Sequence, residues 1–455
     1  MLNTNKPYKI YADILEDTAL KQFEEALAQP FAVKGALMPD AHTWYVLPIG
    51  WVMATKDYIV PAWVWYDIGC WVSALETGIT REELEKSWNK EKIFNEIYEY
   101  IPTWPSKNSE PIKWNYENIP RTEFLDNLLK IDKIYNSLGT LWSWNHFIEI
   151  WYDTDDMIWI IIHSGSRSLW HHIATEYMKK AYIQSMITED FIKNLKEEFE
   201  QKNKDFKKYN YEKFLIAQDD YVNKNLNKIL KEDSSFKMEW NYWLDINSQE
   251  WLDYIQDLNF ALEFALQNRE RMIERVYKIL LKNIDTEAYN YYLDIEKEDI
   301  KNLDIKKPEL WFEFIKEPYF INRNHNHAEL NSEWLWIHRK WATHAEDWMY
   351  GVIPWNMKDW TFIIRWKWNP DSLSSSSHGA WRILSRVEAQ EQVNMNDFEK
   401  SMEGIVALID EGTKDESAFA YKNIFDVMEA QSDLVDTITH IKPLINIKAK
   451  TQIYK

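Results

Sequence analysis

The sequence predicts an α+β fold with a β-rich catalytic core, flanking helices and a helical insertion. Three observations carry this. Residues 31–80, 138–170 and 318–395 are short apolar runs broken by Pro, Gly and turn residues, the pattern of strands and tight loops. The stretches between them repeat apolar residues at helical spacing. From 172 to 317 the composition turns to Lys, Glu, Leu and Phe with helical periodicity, which reads as an insertion. No repeat at solenoid periods is visible, so residues 1–455 read as one catalytic domain with 172–317 inserted in it.

Taken in order, Asp17 to Gln29 is a surface helix. Asp17 or Thr18 can cap it, Leu20, Phe23 and Leu27 share a face, and Pro30 stops it. Glu82–Tyr100 and Thr122–Ser137 are expected to be helical. Met157–Ile162 is an apolar run of buried-strand length that ends at His163. Leu195–Tyr209 and Trp251–Leu281 have helical periodicity, and a helical stretch is expected after residue 395, ending in Ile441–Lys455.

Composition sets the function classes. Cys70 is the only cysteine, so a disulfide framework is excluded and a reducing setting is natural. Met1–Tyr11 lacks a signal-peptide apolar stretch and no run approaches 18 apolar residues, so a soluble, cytoplasmic protein is expected. A net charge of −20 argues against broad non-specific nucleic-acid binding, but it allows a local basic groove.

One anomaly stands out: 26 Trp against 10 Gly in 455 residues. Glycine is then about 2% of the chain against a usual 7%, whereas the two together make about 8%. Trp63, Trp65, Trp142, Trp144, Trp366 and Trp368 sit in turn-like contexts where a tight backbone calls for Gly. The expectation is that many of these codons are UGA, read as glycine in the source organism. The competing reading is an aromatic-rich binding surface.

Polar side chains that can bind metal occur at the ends of the three β blocks. The first carries Asp40, His42, Asp67 and Cys70; the second His146, Glu149 and His163; the third His325, His327 and His378. Asp, Cys and several His together suit a borderline-soft divalent ion. None of the spacings is a close-set zinc motif, and a single cysteine can equally be a small core residue. His171, His172, His338, His344 and His440 read as structural or surface groups.

With glycine read at the anomalous Trp, the motifs MPDAHTWYVLPIGW, PAWVWYDIGCW, SLGTLWSWNHFIE, HSGSRSLWHH, NRNHNHAE, HRKWATHAE and SSSSHGAWRILSR resemble the RtcB family of tRNA-splicing RNA ligases. The likeness runs from about residue 31 to the C-terminus. It implies an RtcB-like fold and a GTP-dependent ligase joining RNA 3′-phosphate or 2′,3′-cyclic phosphate ends to 5′-hydroxyl ends, in tRNA splicing or RNA repair. By the same resemblance Asp67, Cys70, His146, His163 and His325 would hold two Mn²⁺ ions, with Cys70 shared. His378 would attack GTP and carry a histidine–GMP intermediate. Asn145, Glu149, Asn326 and Lys448 would line the guanylate pocket, where Glu149 or another carboxylate can accept from the guanine edge. Arg167 and Arg386 would contact RNA phosphate, or else serve as salt-bridge partners. Asp40 is expected to hydrogen-bond a metal ligand. Gly69 stands where many members have Asn, and Asn356 where many have Ser. The alternatives are a metal-dependent cyclic phosphoesterase that does not ligate, and a non-enzymatic RNA-binding protein.

Overall fold

A computed structural model describes residues 4–448, except 14, 45–46, 65–66, 87–89, 104, 113, 115, 132–133, 142–145, 233–240, 286, 288, 291–318 and 380–381. The strands, in chain order, begin with β1 (Tyr8–Ile10), β2 (Ala32–His42), β3 (Ile49–Thr55), β4 (Tyr58–Ile59) and β5 (Trp71–Thr80). The middle of the chain adds β6 (Phe147–Tyr152), β7 (Met157–Ser164), β8 (Leu244–Asp245), β9 (Phe320–Asn324) and β10 (Asn326–Leu330). Then follow β11 (Trp336–Lys340), β12 (Ala342–His344), β13 (Tyr350–Ile353), β14 (Thr361–Trp366), β15 (Ser375–Ser377), β16 (Val406–Ala407) and β17 (Val435–Lys448). Two sheets dominate. One has the order β1-β2-β3-β11-β10; the other runs β13-β14-β17-β6-β7-β5-β9, with β16 beside β17. The fold is α+β, and the three β blocks converge because β5 pairs with both β7 and β9.

β7 shows why the centre of the larger sheet forms. Its side chains alternate between faces, and both faces are covered. Ile158, Ile160 and Ile162 enter one apolar cluster with Leu75, Ile148 and Ile150. Trp159 and Ile161 enter another with Val72, Phe147 and Trp151. The run then ends on two buried polar residues, His163 and Ser164.

The helix Gln249–Ile284 closes the first of these faces. Ser248 caps it by accepting from the Trp251 backbone N–H. Met272, Ile273, Val276 and Leu280 pack into the same cluster as Ile158 and Ile160. This helix belongs to the stretch read as an insertion, yet its apolar face is part of the core. The stretch also holds helices Glu189–Lys202 and Tyr211–Glu232 and all but the first three residues of Leu169–Met186. Its last part, 291–318, lies outside the described residues.

Two expectations about helices change. Leu195–Tyr209 is broken at Asn203, whose Nδ2 donates to the Phe199 carbonyl and which ends one helix as Lys204–Tyr209 begins the next. More consequentially, the C-terminal stretch is not helical to its end: Val435–Lys448 is a strand paired with β14 and β6. Its Val, Thr and Ile alternate at 435, 437, 439 and 441. Residues 444–448 are buried on both faces, with a register shift at Pro443, which cannot donate to the ladder.

Candidate active site

Four chain segments meet at the ends of β5, β6, β7 and β9. Asp67 to Cys70 form a tight turn closed by the Cys70 N–H on the Asp67 carbonyl, 3.0 Å. Gly69 has φ +72°, and a Cβ there would lie 2.9 Å from the Ala265 Cβ on the long helix. An Asn tolerates the backbone angle but not that contact, which accounts for Gly at this position. The 164–167 turn packs against this one through Ser166 Oγ, which donates to the Ile68 carbonyl at 2.7 Å.

The expected metal ligands come together. Cys70 Sγ lies 3.2 Å from His146 Nε2 and 3.0 Å from His163 Nε2. His163 Nε2 and His325 Nε2 are 3.3 Å apart, and Asp67 Oδ2 is 3.5 Å from His146 Nε2. Asp67 Oδ1 and His146 Nδ1 are buried with no hydrogen-bond partner among the described residues. One thiol, three imidazoles and a carboxylate with their donor atoms turned on one another suit a divalent cation. Burial, and then Asp67, push the Cys70 thiol well up, with Arg269 opposing. Burial and the neighbouring histidines push His325 well down. A bound dication would reverse the first effect, because a coordinating thiol is deprotonated.

The long helix stiffens these turns with two residues that local sequence patterns did not single out. Arg269 Nη1 donates to the Gly69 and Ser164 carbonyls at 3.1 and 2.9 Å. Asn268 Nδ2 donates to Ser164 Oγ and the Gly165 carbonyl, both at 3.2 Å. In sequence they are polar interruptions of an amphipathic helix, and nothing in their spacing marks them.

His378 follows β15, and its ring lies 5.3 Å from that of His325. Asp40 corrects an expectation. Its carboxylate does not bond a metal ligand: Oδ2 accepts from the His378 backbone N–H at 3.1 Å and from its Nδ1 at 2.6 Å. The register of β2 against β3 shifts between Leu37 and His42, where the buried Asp40 lies. One oxygen therefore holds both backbone and ring, keeps the proton on Nδ1 and leaves the Nε2 lone pair for chemistry. His42 Nδ1 contacts the Asp40 carbonyl at 2.9 Å.

The residues expected around a nucleotide divide. Asn145 lies outside the described residues. Asn326 accepts from the Trp341 N–H at 2.8 Å, and its buried Nδ2 has no hydrogen-bond partner among the described residues. Glu149 is buried on β6 opposite Asn446, accepting from Trp151 Nε1 at 2.9 Å and from Asn446 Nδ2. Burial raises its pKa to about 8, with Lys448 the main opposing influence. Lys448 Nζ donates to Glu416 Oε2 at 2.5 Å. Arg386 bonds the same Glu416 and Asp415, so this arginine faces carboxylates. Arg167 is buried at φ +59° beside the Asp67–Cys70 turn, and burial lowers its pKa to about 9.

Glu416 joins Lys448, Arg386 and Arg382, and although burial would raise its pKa, those cations hold it well below 4.5. Glu416→Gln leaves the buried Lys448 and the half-buried Arg382 and Arg386 underpaired and is expected to cost about 3–5 kcal/mol in urea unfolding at neutral pH. A depressed carboxylate stabilises above its unfolded pKa and loses that effect as pH falls. The gap between wild type and variant should therefore narrow below pH 4.5. A gap that is constant with pH would mean that Glu416 acts through packing alone.

Tryptophan has an unusual place here. Trp334, Trp341 and Trp348 adopt φ +60°, +56° and +67°. The Trp341 ring stacks on His325 at 5.3 Å and meets His378 edge-on at 4.8 Å. Trp51, Trp63, Trp355 and Trp366 are instead buried in apolar clusters. Trp65, Trp142, Trp144 and Trp381 lie outside the described residues.

A family model described as tRNA-splicing ligase RtcB matches residues 22–130 and 126–449. The chain belongs to the RtcB family. The RNA-splicing ligase RtcB of Escherichia coli strain K12 is 28% identical over 473 aligned positions, covering 98% of each chain. The tRNA-splicing ligase RtcB of Nanoarchaeum equitans is 24% identical over 98% of this chain and 95% of its own. RNA-splicing ligase RtcB homolog 1 of Entamoeba dispar is 22% identical over 95% of this chain and 82% of its own. Among the described residues, no helix is long and apolar enough to cross a membrane.

Proposed function

We propose that this RtcB-family chain is a GTP-dependent RNA ligase that seals 3′-phosphate or 2′,3′-cyclic phosphate ends to 5′-hydroxyl ends. The observation that carries the reading is the Asp40–His378 pair, 2.6 Å from Oδ2 to Nδ1, beside the cluster of thiol, imidazole and carboxylate donors. His378 Nε2 attacks the α-phosphorus of GTP, an N–P bond forms, and the bond to the pyrophosphate leaving group breaks. Asp40 stabilises the positive charge that develops on the ring. A 2′,3′-cyclic phosphate end is first hydrolysed to the 3′-phosphate, water adding to phosphorus as the P–O2′ bond breaks. The guanylate then passes to an RNA 3′-phosphate oxygen as the N–P bond breaks, and an incoming 5′-hydroxyl displaces GMP. Asp67, Cys70, His146, His163 and His325 would hold two Mn²⁺ ions, which supply Lewis-acid neutralisation of phosphate charge when bound. Asn326, Glu149 and Lys448, with Asn145, would bind the nucleotide. Arg167 and Arg386 would meet RNA phosphate, Arg386 after exchanging Asp415 and Glu416 for it.

The test offers GTP, Mn²⁺ and two RNA fragments, one ending in a 2′,3′-cyclic phosphate and one beginning with a 5′-hydroxyl. A sealed product with release of GMP supports the reading. Opening of the cyclic phosphate without sealing would make the chain a phosphoesterase, and binding without either would make it an RNA-binding protein.

The reading includes glycine at position 341. Trp there has a left-handed backbone that costs an L-residue about 1–2 kcal/mol, and its indole packs against both His325 and His378. Trp341→Gly is expected to speed guanylate transfer to the protein at least about tenfold. Mass spectrometry of native material should find glycine at 341, and at 63, 65 and 71. Intact Trp at all four, with no gain from Trp341→Gly, would overturn the idea.

A further inference from the structure

Apart from the metal donors, one buried cation contacts the segment that delivers His378. Arg339 on β11 is 1% exposed, and its guanidinium uses all five N–H donors on protein groups. Nε donates to Ser375 Oγ at 2.8 Å, and Nη2 to the Leu373 and Ser374 carbonyls at 3.2 and 3.1 Å. Nη1 donates to His327 Nε2 at 3.1 Å and to Glu329 Oε1 at 2.5 Å. His327, Glu329 and His344 place ligand atoms within 4.8 Å of one another, but Arg339 already supplies a cation to two of them.

The groups Arg339 grips are strained. Leu373 and Ser374 have φ +55° and +49°, two consecutive non-glycine residues in the left-handed region. Each costs of order 1–3 kcal/mol unless its surroundings impose it. The Ser374 carbonyl also accepts from the Ala345 N–H at 2.8 Å. Directly beyond, β15 pairs antiparallel with β12, Ala342 opposite Ser377, and the next residue is His378. The guanidinium thus fixes the turn from which the strand is aimed at Asp40.

We propose that Arg339 is the positioning residue for His378, clamping the Leu373–Ser374 turn from β11 while His327 and Glu329 hold the clamp in place. This rests on the reading of His378 as the nucleophile. Lys cannot reproduce five forked donors, so Arg339→Lys releases the turn. The Asp40–His378 bond then loosens.

The experiment uses the full chain and two readouts. One is the rate of guanylate transfer from GTP in the presence of Mn²⁺. The other is the rate at which diethyl pyrocarbonate modifies His378, followed by peptide mass spectrometry, which needs no enzymatic activity. Arg339→Lys should slow guanylate transfer at least about tenfold. It should also speed carbethoxylation of His378 several-fold, because the imidazole leaves its shielded contact. Adding Ser374→Gly, which accepts φ +49° without strain, should restore part of both rates. Glu329→Gln, which weakens one anchor of the clamp, should shift both rates in the same directions by less, and it serves if Arg339→Lys does not fold. Unchanged His378 reactivity in folded variants would overturn the proposal. So would a loss of activity that merely follows thermal stability and is not recovered by Ser374→Gly. If the unchanged protein takes no guanylate while His378 reactivity still follows Arg339, the functional reading fails and the positioning role stands.

Discussion

His378→Ala is expected to abolish covalent guanylate capture from radiolabelled GTP while leaving bound metal essentially unchanged. The geometry separates the two roles. Nδ1 is committed to Asp40 at 2.6 Å, and the donor set closes on Cys70, His146, His163 and His325. An adduct formed with the unchanged protein should be stable in alkali and labile in acid, as a phosphoramidate is. Asp40→Asn tests the tautomer argument. The amide can present an N–H to Nδ1, which favours the wrong ring nitrogen for attack, so capture should fall by about 10²–10⁴-fold. Persistent labelling of the alanine variant would move the nucleophile elsewhere. Full capture by Asp40→Asn would reduce that carboxylate to a structural contact.

Cys70→Ser is expected to remove Mn²⁺ binding at both positions, and with it every step of ligation. The thiol lies between two imidazole nitrogens, at 3.0 and 3.2 Å, and is the one donor that gains a full negative charge on ligation. A serine hydroxyl of similar shape stays neutral, and affinity should drop by at least about 100-fold. The readout need not be activity. Saturating Mn²⁺ should raise the unfolding free energy of the unchanged protein, by about 2.7 kcal/mol for each ion at a hundred times its Kd, and leave Cys70→Ser nearly unmoved. Zn²⁺ should bind the unchanged protein at least as tightly as Mn²⁺. Stoichiometric Mn²⁺ in the serine variant would end the idea of a shared thiolate.

Much of this site was legible before any coordinates. Asp67, Cys70, His146, His163, His325 and His378 stand in short polar motifs at the ends of apolar runs, and chemistry of that kind is local. The strand from Met157 was legible for the same reason, although it runs to Ser164, two residues past the expected end at Ile162. An apolar run of strand length is a property of a few neighbouring residues. Asn268 and Arg269 were not legible, because a polar residue on an amphipathic helix carries no mark of what it meets 104 or 200 positions away.

The sequence by itself determined the α+β class, the side chains that meet in the thiol, imidazole and carboxylate cluster, and the family. Each depends on residue type and order, which folding does not change. Only the tertiary structure decided that Val435–Lys448 is a strand. Its local pattern is ambiguous, and the choice comes from two other strands, β14 pairing with residues 435–441 and β6 with 442–448, which between them give its backbone ladder partners along its length. Only the tertiary structure assigned Asp40 to His378, 338 residues apart, because strand register selects which carboxylate faces which ring. The same holds for Arg386 against Asp415 and Glu416, and for Arg339 against the Leu373–Ser374 turn. A charged side chain in the interior takes the partner the packing brings to it, since leaving it unpaired there costs more than any local preference supplies.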